Sequence, residues 1–466
     1  MSKRRTRRVG RIGIGVLPGM ERLEERRLLS TSGISVSPIS PVPSPQASSL
    51  VQGPDGNVWF TDQDNNAIGR ETPSGAVTEF AIPTDSALPD QITVGPDGDL
   101  WFLETGLSQI AKITTTGKVT GFAMPSADSS PSALAAGPGG DVWFVDSGNN
   151  EVGKITPAGT VTEFSFDQTN LTLVGGIVEG PDGNLYAAAQ DDSGNGALAR
   201  VTPAGKINSI SIPDYPTDLT VGPDGNLWVD ASGAIDRVTT AGAATSFAVP
   251  NQDSTFGITS GPDGALWFGS YGQNPMGRIT TAGGIVEFNP PGVGQQSFVD
   301  ALAIGPGKQI WYATDTGAPT SFDPQNALLA GGVDATATAG TSSTVNVASF
   351  VDLAAGGAAT DYSATIDWGD GTTSVGAITA NSQGGFDVAG THTWGIGSSN
   401  LTITITDTRA ASTGLGGRTA TAFATVTSPA PPTQGTGVAV NATAGQLFTG
   451  VVAHYTGVIL SSLSSY

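Results

Sequence analysis

Gly53-Pro54-Asp55-Gly56-Asn57-Val58-Trp59-Phe60-Thr61 is the stretch that decides the fold. It reads as a tight turn feeding a strand, because proline presets φ and glycine accepts the positive φ that a Cβ forbids. Close copies begin at Gly95, Gly137, Gly180, Gly222, Gly261 and Gly305, at intervals of 42, 42, 43, 42, 39 and 44 residues. One four-stranded propeller blade has that length, and a leucine-rich repeat is much shorter. The chain is therefore expected to be all-β and to contain a seven-bladed β-propeller.

Working outward from the turn, Ser49-Leu50-Val51-Gln52 is a short inner strand and Asn57 to Thr61 its antiparallel return. Ile68-Gly69-Arg70 lies in a third strand, and Thr72-Pro73-Ser74-Gly75 turns into the outer strand Val77-Thr78-Glu79-Phe80. Apolar residues alternate as strands packed between blades require. The aromatic after the turn is Trp59, Trp101, Trp143, Tyr186, Trp228, Trp267 or Trp311, so six of the eight tryptophans share one repeat position. Such regular placement points to inter-blade packing rather than to a ligand cage. Arg70, Lys112, Lys154, Arg200, Arg237 and Arg278 supply one cation per blade, which suits structural partners for local acids or carbonyls and makes no basic patch. The turn aspartates Asp55, Asp97, Asp182, Asp224 and Asp263 read as turn formers bonding their own backbone.

Composition narrows the partners. Residues 1–30 carry nine Lys or Arg against three Glu, leaving the remainder of the chain at −27. A body so acidic repels phosphate backbones and anionic membranes, so no nucleic-acid partner is expected. There is no cysteine, hence no disulfide and no thiolate metal site. No run of eighteen apolar residues offers a transmembrane helix. A monomer is expected.

The repeat G-P-D-G-x-[LV]-W-F-x-[DE], with I-G-[RK]-[IV]-T and V-T-E-F, resembles the virginiamycin B lyase (streptogramin lyase) family over residues 33–331. The resemblance implies a seven-bladed propeller. In active members it also implies Mg²⁺-assisted elimination that opens a cyclic depsipeptide, with histidine five residues before a blade glycine acting at the channel mouth. Here those positions hold Ser48, Asp90, Ser132, Gly175, Thr217, Phe256 and Asp300, and the two histidines of the chain, His392 and His454, lie beyond the propeller. No catalytic residue can be assigned on that pattern, and streptogramin lyase activity is not expected.

What the mouth offers instead is acid. Counting back and forth from the hairpin turn, residues five before the glycine and three after the tryptophan face each other across the first two strands. This makes Asp62, Asp90, Glu104, Asp146 and Asp300 a candidate acidic channel face for Mg²⁺, Ca²⁺ or a cationic ligand, with a solvated acidic rim as the plain alternative. Two functions of different class follow: an exported binding propeller for a protein, glycan or small molecule, or a lyase-family enzyme using a carboxylate base on the streptogramin or another substrate.

The ends differ from the ring. Residues 1–32 are basic, and Leu23-Glu24-Glu25-Arg26-Arg27-Leu28-Leu29 resembles the LEPR-XLL motif of exported bacterial proteins, so a secreted or cell-surface location is expected. Residues 332–428, with Trp368-Gly369-Asp370-Gly371 and His392-Thr393-Trp394, resemble a PKD domain, an immunoglobulin-like β-sandwich. A proline-rich linker spans 429–436, and 437–466 reads as the opening of a second such repeat. Residues 34–40 have the register of an outer strand that completes blade seven, with residues 327–330 as the competing segment.

Overall fold

The structure is a computed structural model. It describes residues 47–430 apart from 127, 167–169, 251–253, 272–273, 291–292, 294–297, 315–317, 355–356 and 410–416, together with strand residues 434–437 and 453–456. Six four-stranded antiparallel sheets and one of three strands form seven blades, at 47–81, 89–123, 131–165, 171–211, 216–248, 255–288 and 299–322. Successive inner strands pack against one another, and the strand Val299–Gly305 closes onto Ala47–Gln52.

In blades one, two, three, five and six the second strand, such as Val58–Asp62, is buried along its whole length, whereas outer strands such as Val77–Ala81 alternate half-buried and exposed positions. The repeated tryptophan is buried, and in blades one, two, three and five it stacks on the phenylalanine of its own outer strand, as Trp59 does on Phe80 with centroids 5.4 Å apart. The turn aspartate does more than shape the turn. Asp55 Oδ1 accepts from Asn57 N at 3.2 Å and from Trp59 Nε1 at 3.0 Å, and the same indole bond recurs at Asp97, Asp224 and Asp263. The recurrent cation completes the unit. Lys112 bonds Asp97 at 2.8 Å, lies 5.3 Å from the Trp101 ring centroid, and donates to Pro157 O in the next blade's outer turn. Local acid and carbonyl partners were the expectation for these cations; the acid is the turn aspartate for Arg70, Lys112, Arg200 and Arg278 and Asp141 for Lys154, while Arg237 donates to the Thr281 carbonyl.

Beyond the ring, eight strands form one curled sheet in the order Leu328–Gly332, Ser342–Asp352, Phe386–Thr393, Thr373–Ala380, Tyr362–Asp367, Gly397–Asp407, Thr419–Ser428 and Ala335–Thr336. Its core holds Val347, Phe350, Ile366, Trp368, Val388, Trp394, Ile403 and Val426. Residues 327–330 therefore serve this sheet rather than blade seven, because Leu328–Gly332 pairs with Ser342–Asp352. The competing segment 34–40 and the basic residues 1–32 lie outside the described residues. Of the tail, Gln434–Gly437 pairs with Ala453–Thr456.

The junction has a physical cause in Gly331-Gly332. A Cβ on Gly331 would stand 1.7 Å from Glu287 O, and one on Gly332 1.7 Å from Phe423 O, so only glycine lets these backbones approach. Asn274 clamps Gly332 from both sides, donating to its carbonyl at 3.1 Å and accepting from its N–H at 3.2 Å. The outer strand of blade six, Ile285–Phe288, is consequently buried throughout, unlike the outer strands of the earlier blades.

Candidate functional site

The inner strands begin at one end of the ring, and a single device displaces their first residues. In blade two the register runs Val94↔Leu100 and Ile92↔Phe102, then slips by one residue to Asp90↔Leu103 and Pro89↔Glu104. The same one-residue slip occurs in blades one, three, five, six and seven, and a two-residue slip in blade four. This β-bulge corrects the facing read from the sequence. Directly paired residues share a face, so Asp90 goes with Leu103 and Glu104 goes with Pro89 on the other side.

The five candidate acids are thereby divided. Asp62 is buried and closes its own hairpin, accepting from Asn65 N at 3.1 Å and Asn65 Nδ2 at 2.9 Å. Asp146 does the same in blade three, accepting from Ser130 N at 2.7 Å, Gly148 N at 3.1 Å and Asn149 Nδ2 at 3.1 Å. Glu104 is buried beside Gln109 and Gly121, and both its carboxylate oxygens lack a partner among the described residues. Burial raises its pKa. Asp90 is half-buried on the inner strand, and Asp300 is exposed at the start of blade seven. These two occupy positions five residues before a blade glycine, at the starts of the inner strands of blades two and seven. The acids do not assemble into one ion site at the mouth, so the residues there do not fit the family's Mg²⁺ and no step is derived through it.

Other groups were not singled out from the sequence. Glu151 and Glu163 bring carboxylate oxygens within 4.8 Å of each other and of Asp146 in blade three. Glu163 belongs to a V-T-E-F copy, and the recurrence of Glu79 at the same place was the signal available. In blade five Asp218 and Asp230 are paired across the first two strands. Toward blade seven, Phe256 occupies the histidine position of blade six and packs on Tyr271, which packs on Phe298, each pair with centroids 4.5 Å apart. The mouth there is aromatic, not basic. His392, in the curled sheet, stacks on Trp368 at 4.7 Å with its Nε2 3.2 Å from Asp370 Oδ2, a structural setting remote in sequence from every blade.

Comparison with known proteins agrees with this ring. A family model described as the virginiamycin B lyase family matches residues 29–194 and 174–320. A streptogramin B lyase structure is similar at 27% identity with a TM-score of 0.56, covering 62% of this chain and 97% of that one. A catalytically inactive histidine-to-alanine variant of virginiamycin B lyase from Staphylococcus aureus, solved with quinupristin, is similar at 27% identity and a TM-score of 0.55, covering 62% and 99%. The extracellular domain of a protein described as a hybrid two component system from B. thetaiotaomicron shares the fold at 12% identity and a TM-score of 0.51, covering 82% and 56%. No curated protein matches the chain.

Proposed function

Since the chain belongs to the virginiamycin B lyase family yet lacks an imidazole anywhere in its ring, we propose that it is a binding propeller that does not open streptogramin rings. One observation carries this: neither histidine of the chain lies within 33–331, and the positions that resemblance assigns to the base hold Ser, Asp, Gly, Thr or Phe. Proton abstraction α to a carbonyl needs a base within hydrogen-bond reach of that proton. A relative made inactive by replacing one histidine supports the same requirement. A family scaffold alone does not transfer the reaction.

As a binding module, the ring presents Asp90, Asp300 and the aromatic group Phe256, Tyr271 and Phe298 at its mouth, a surface suited to a polar or cationic ligand. The basic leader and the PKD-like part support an exported or cell-surface setting, where the trailing sheet acts as spacer. The test is incubation with a type B streptogramin and Mg²⁺, followed by chromatography because elimination leaves the mass unchanged. The ring ester is expected to stay intact. Opening at a rate comparable with active family members would overturn the reading.

A further inference from the structure

Blade five alone places two acids on facing positions of its inner pair of strands. Asp218, in Pro216–Val221, lies directly opposite Asp230, in Leu227–Ala231. Facing residues on antiparallel strands project to one side with Cβ atoms about 4.5–5.5 Å apart, so the register itself brings the two carboxyl groups together. The other blades never repeat the pair; blade one has Ser49 and Thr61 there, and blade two Gln91 and Leu103.

The surroundings are shaped around these oxygens. Asp218 Oδ2 accepts from Ile258 N of blade six at 3.4 Å, while its Oδ1 lies 2.2 Å from where a Cβ on Gly176 of blade four would stand. Glycine at 176 thus leaves the space that the Asp218 carboxylate fills. Asp230 is wholly buried, and its Oδ1 accepts from the Thr255 hydroxyl of blade six. Its Oδ2 is buried and has no hydrogen-bond partner among the described residues. Thr217 Oγ1 donates to the Asp230 carbonyl at 3.2 Å, which adds a second hydroxyl beside the pair.

A buried carboxylate oxygen with no donor, next to a second carboxylate, is costly unless the group is protonated or a positive charge joins it. Among the described residues no cationic side chain pairs with these acids: the blade-five cation, Arg237, is engaged with Thr281 O and lies over the Trp228 and Phe247 rings. We propose that Asp218 and Asp230, with the hydroxyls of Thr217 and Thr255, hold one hard divalent cation, Mg²⁺ or Ca²⁺, at the junction of blades five and six. Two carboxylates, neutral oxygens and retained waters are the donor set such ions take. Of these residues only Thr217 lies at a position on which the absence of lyase activity rests, and ion uptake is measured independently of that activity.

The experiment is calorimetric titration of the full chain with MgCl₂ and, separately, CaCl₂, with melting curves taken in parallel. One ion per chain is expected, together with a higher melting temperature through binding to the folded state only. Asp218→Asn and Asp230→Asn should each weaken binding by about tenfold or more, whereas Glu163→Gln and Asp90→Asn should leave it within about twofold. Asparagine keeps the side-chain shape, and melting without added ion checks that each variant folds; either variant alone suffices to decide. No uptake of either ion at millimolar concentration overturns the proposal. So does uptake that survives both asparagine substitutions, or that disappears with Glu163→Gln.

Discussion

Two single residues expose the rules of the repeat by breaking them. Blade seven has Gly307 where most blades carry the turn aspartate, and Trp311 Nε1 is consequently buried without a partner among the described residues. The altered turn also holds Lys308 at φ 62°, in the left-handed region. Restoring the common phrase with Gly307→Asp and Lys308→Gly should switch this turn, in which Gly307 at φ 71° is left-handed as well, to that of blade one, where Gly56 but not Asp55 is left-handed; it should thereby supply the indole acceptor and raise stability by about 1–2 kcal/mol. Chemical denaturation of the double variant checks this; a loss of stability would show that blade seven is built for its own turn. Glu71 is the second exception, buried where the next five blades have Ile113, Ile155, Val201, Val238 and Ile279. Burial pushes its pKa up to about 7 from an ordinary 4.5. A carboxyl raised in the folded state favours folding below pH 4.5, and that contribution is lost as pH rises through about 7. Glu71→Gln should therefore remove about 3 kcal/mol of the stability decline between pH 4.5 and 8. Parallel pH profiles for variant and wild type would contradict the assignment.

At the scale of elements, the blade was legible because its signals are local: a proline-glycine turn, an aromatic at fixed distance and alternating apolar residues. The site was not legible for the opposite reason. One bulged residue between Asp90 and Ile92 reverses which acids share a face, and no spacing announces a bulge. Asp218 and Asp230 acquire meaning only through Gly176, Thr255 and Ile258 of neighbouring blades. The curled sheet hides a similar non-local unit. Asp352 accepts from Arg418 Nη1 at 2.8 Å and from Tyr362 Oη at 2.8 Å, while Arg418 also donates to Asn326 O at 2.8 Å, tying the connector from blade seven to three strands. Burial alone would raise Asp407; hydrogen bonds from Arg409 and Arg418 outweigh it and hold its pKa at about 2. Breaking this buried network with Asp352→Asn should cost about 3–5 kcal/mol, because it strands arginine charge. Calorimetry should show the curled sheet melting earlier; unchanged melting would mean that the arginines find other partners.

For the whole molecule, the junction joins ring and sheet more closely than a composition shift at Gly331-Gly332 suggests. Blade six loses its exposed edge to that contact, while Phe256 and Asp300 lie at the starts of the inner strands of blades six and seven. The central claim is that the ring keeps the family's architecture without its base. The most direct measurement asks whether any group in the ring removes the substrate's α-proton. Protein at stoichiometric concentration is incubated with a type B streptogramin and Mg²⁺ in D₂O, labile deuterium is exchanged back, and the recovered antibiotic is examined by chromatography and mass spectrometry. The account predicts an intact ring with no deuterium at the α-carbon. Ring opening, or carbon-bound deuterium that depends on the folded protein, would contradict it by revealing a working base in the propeller.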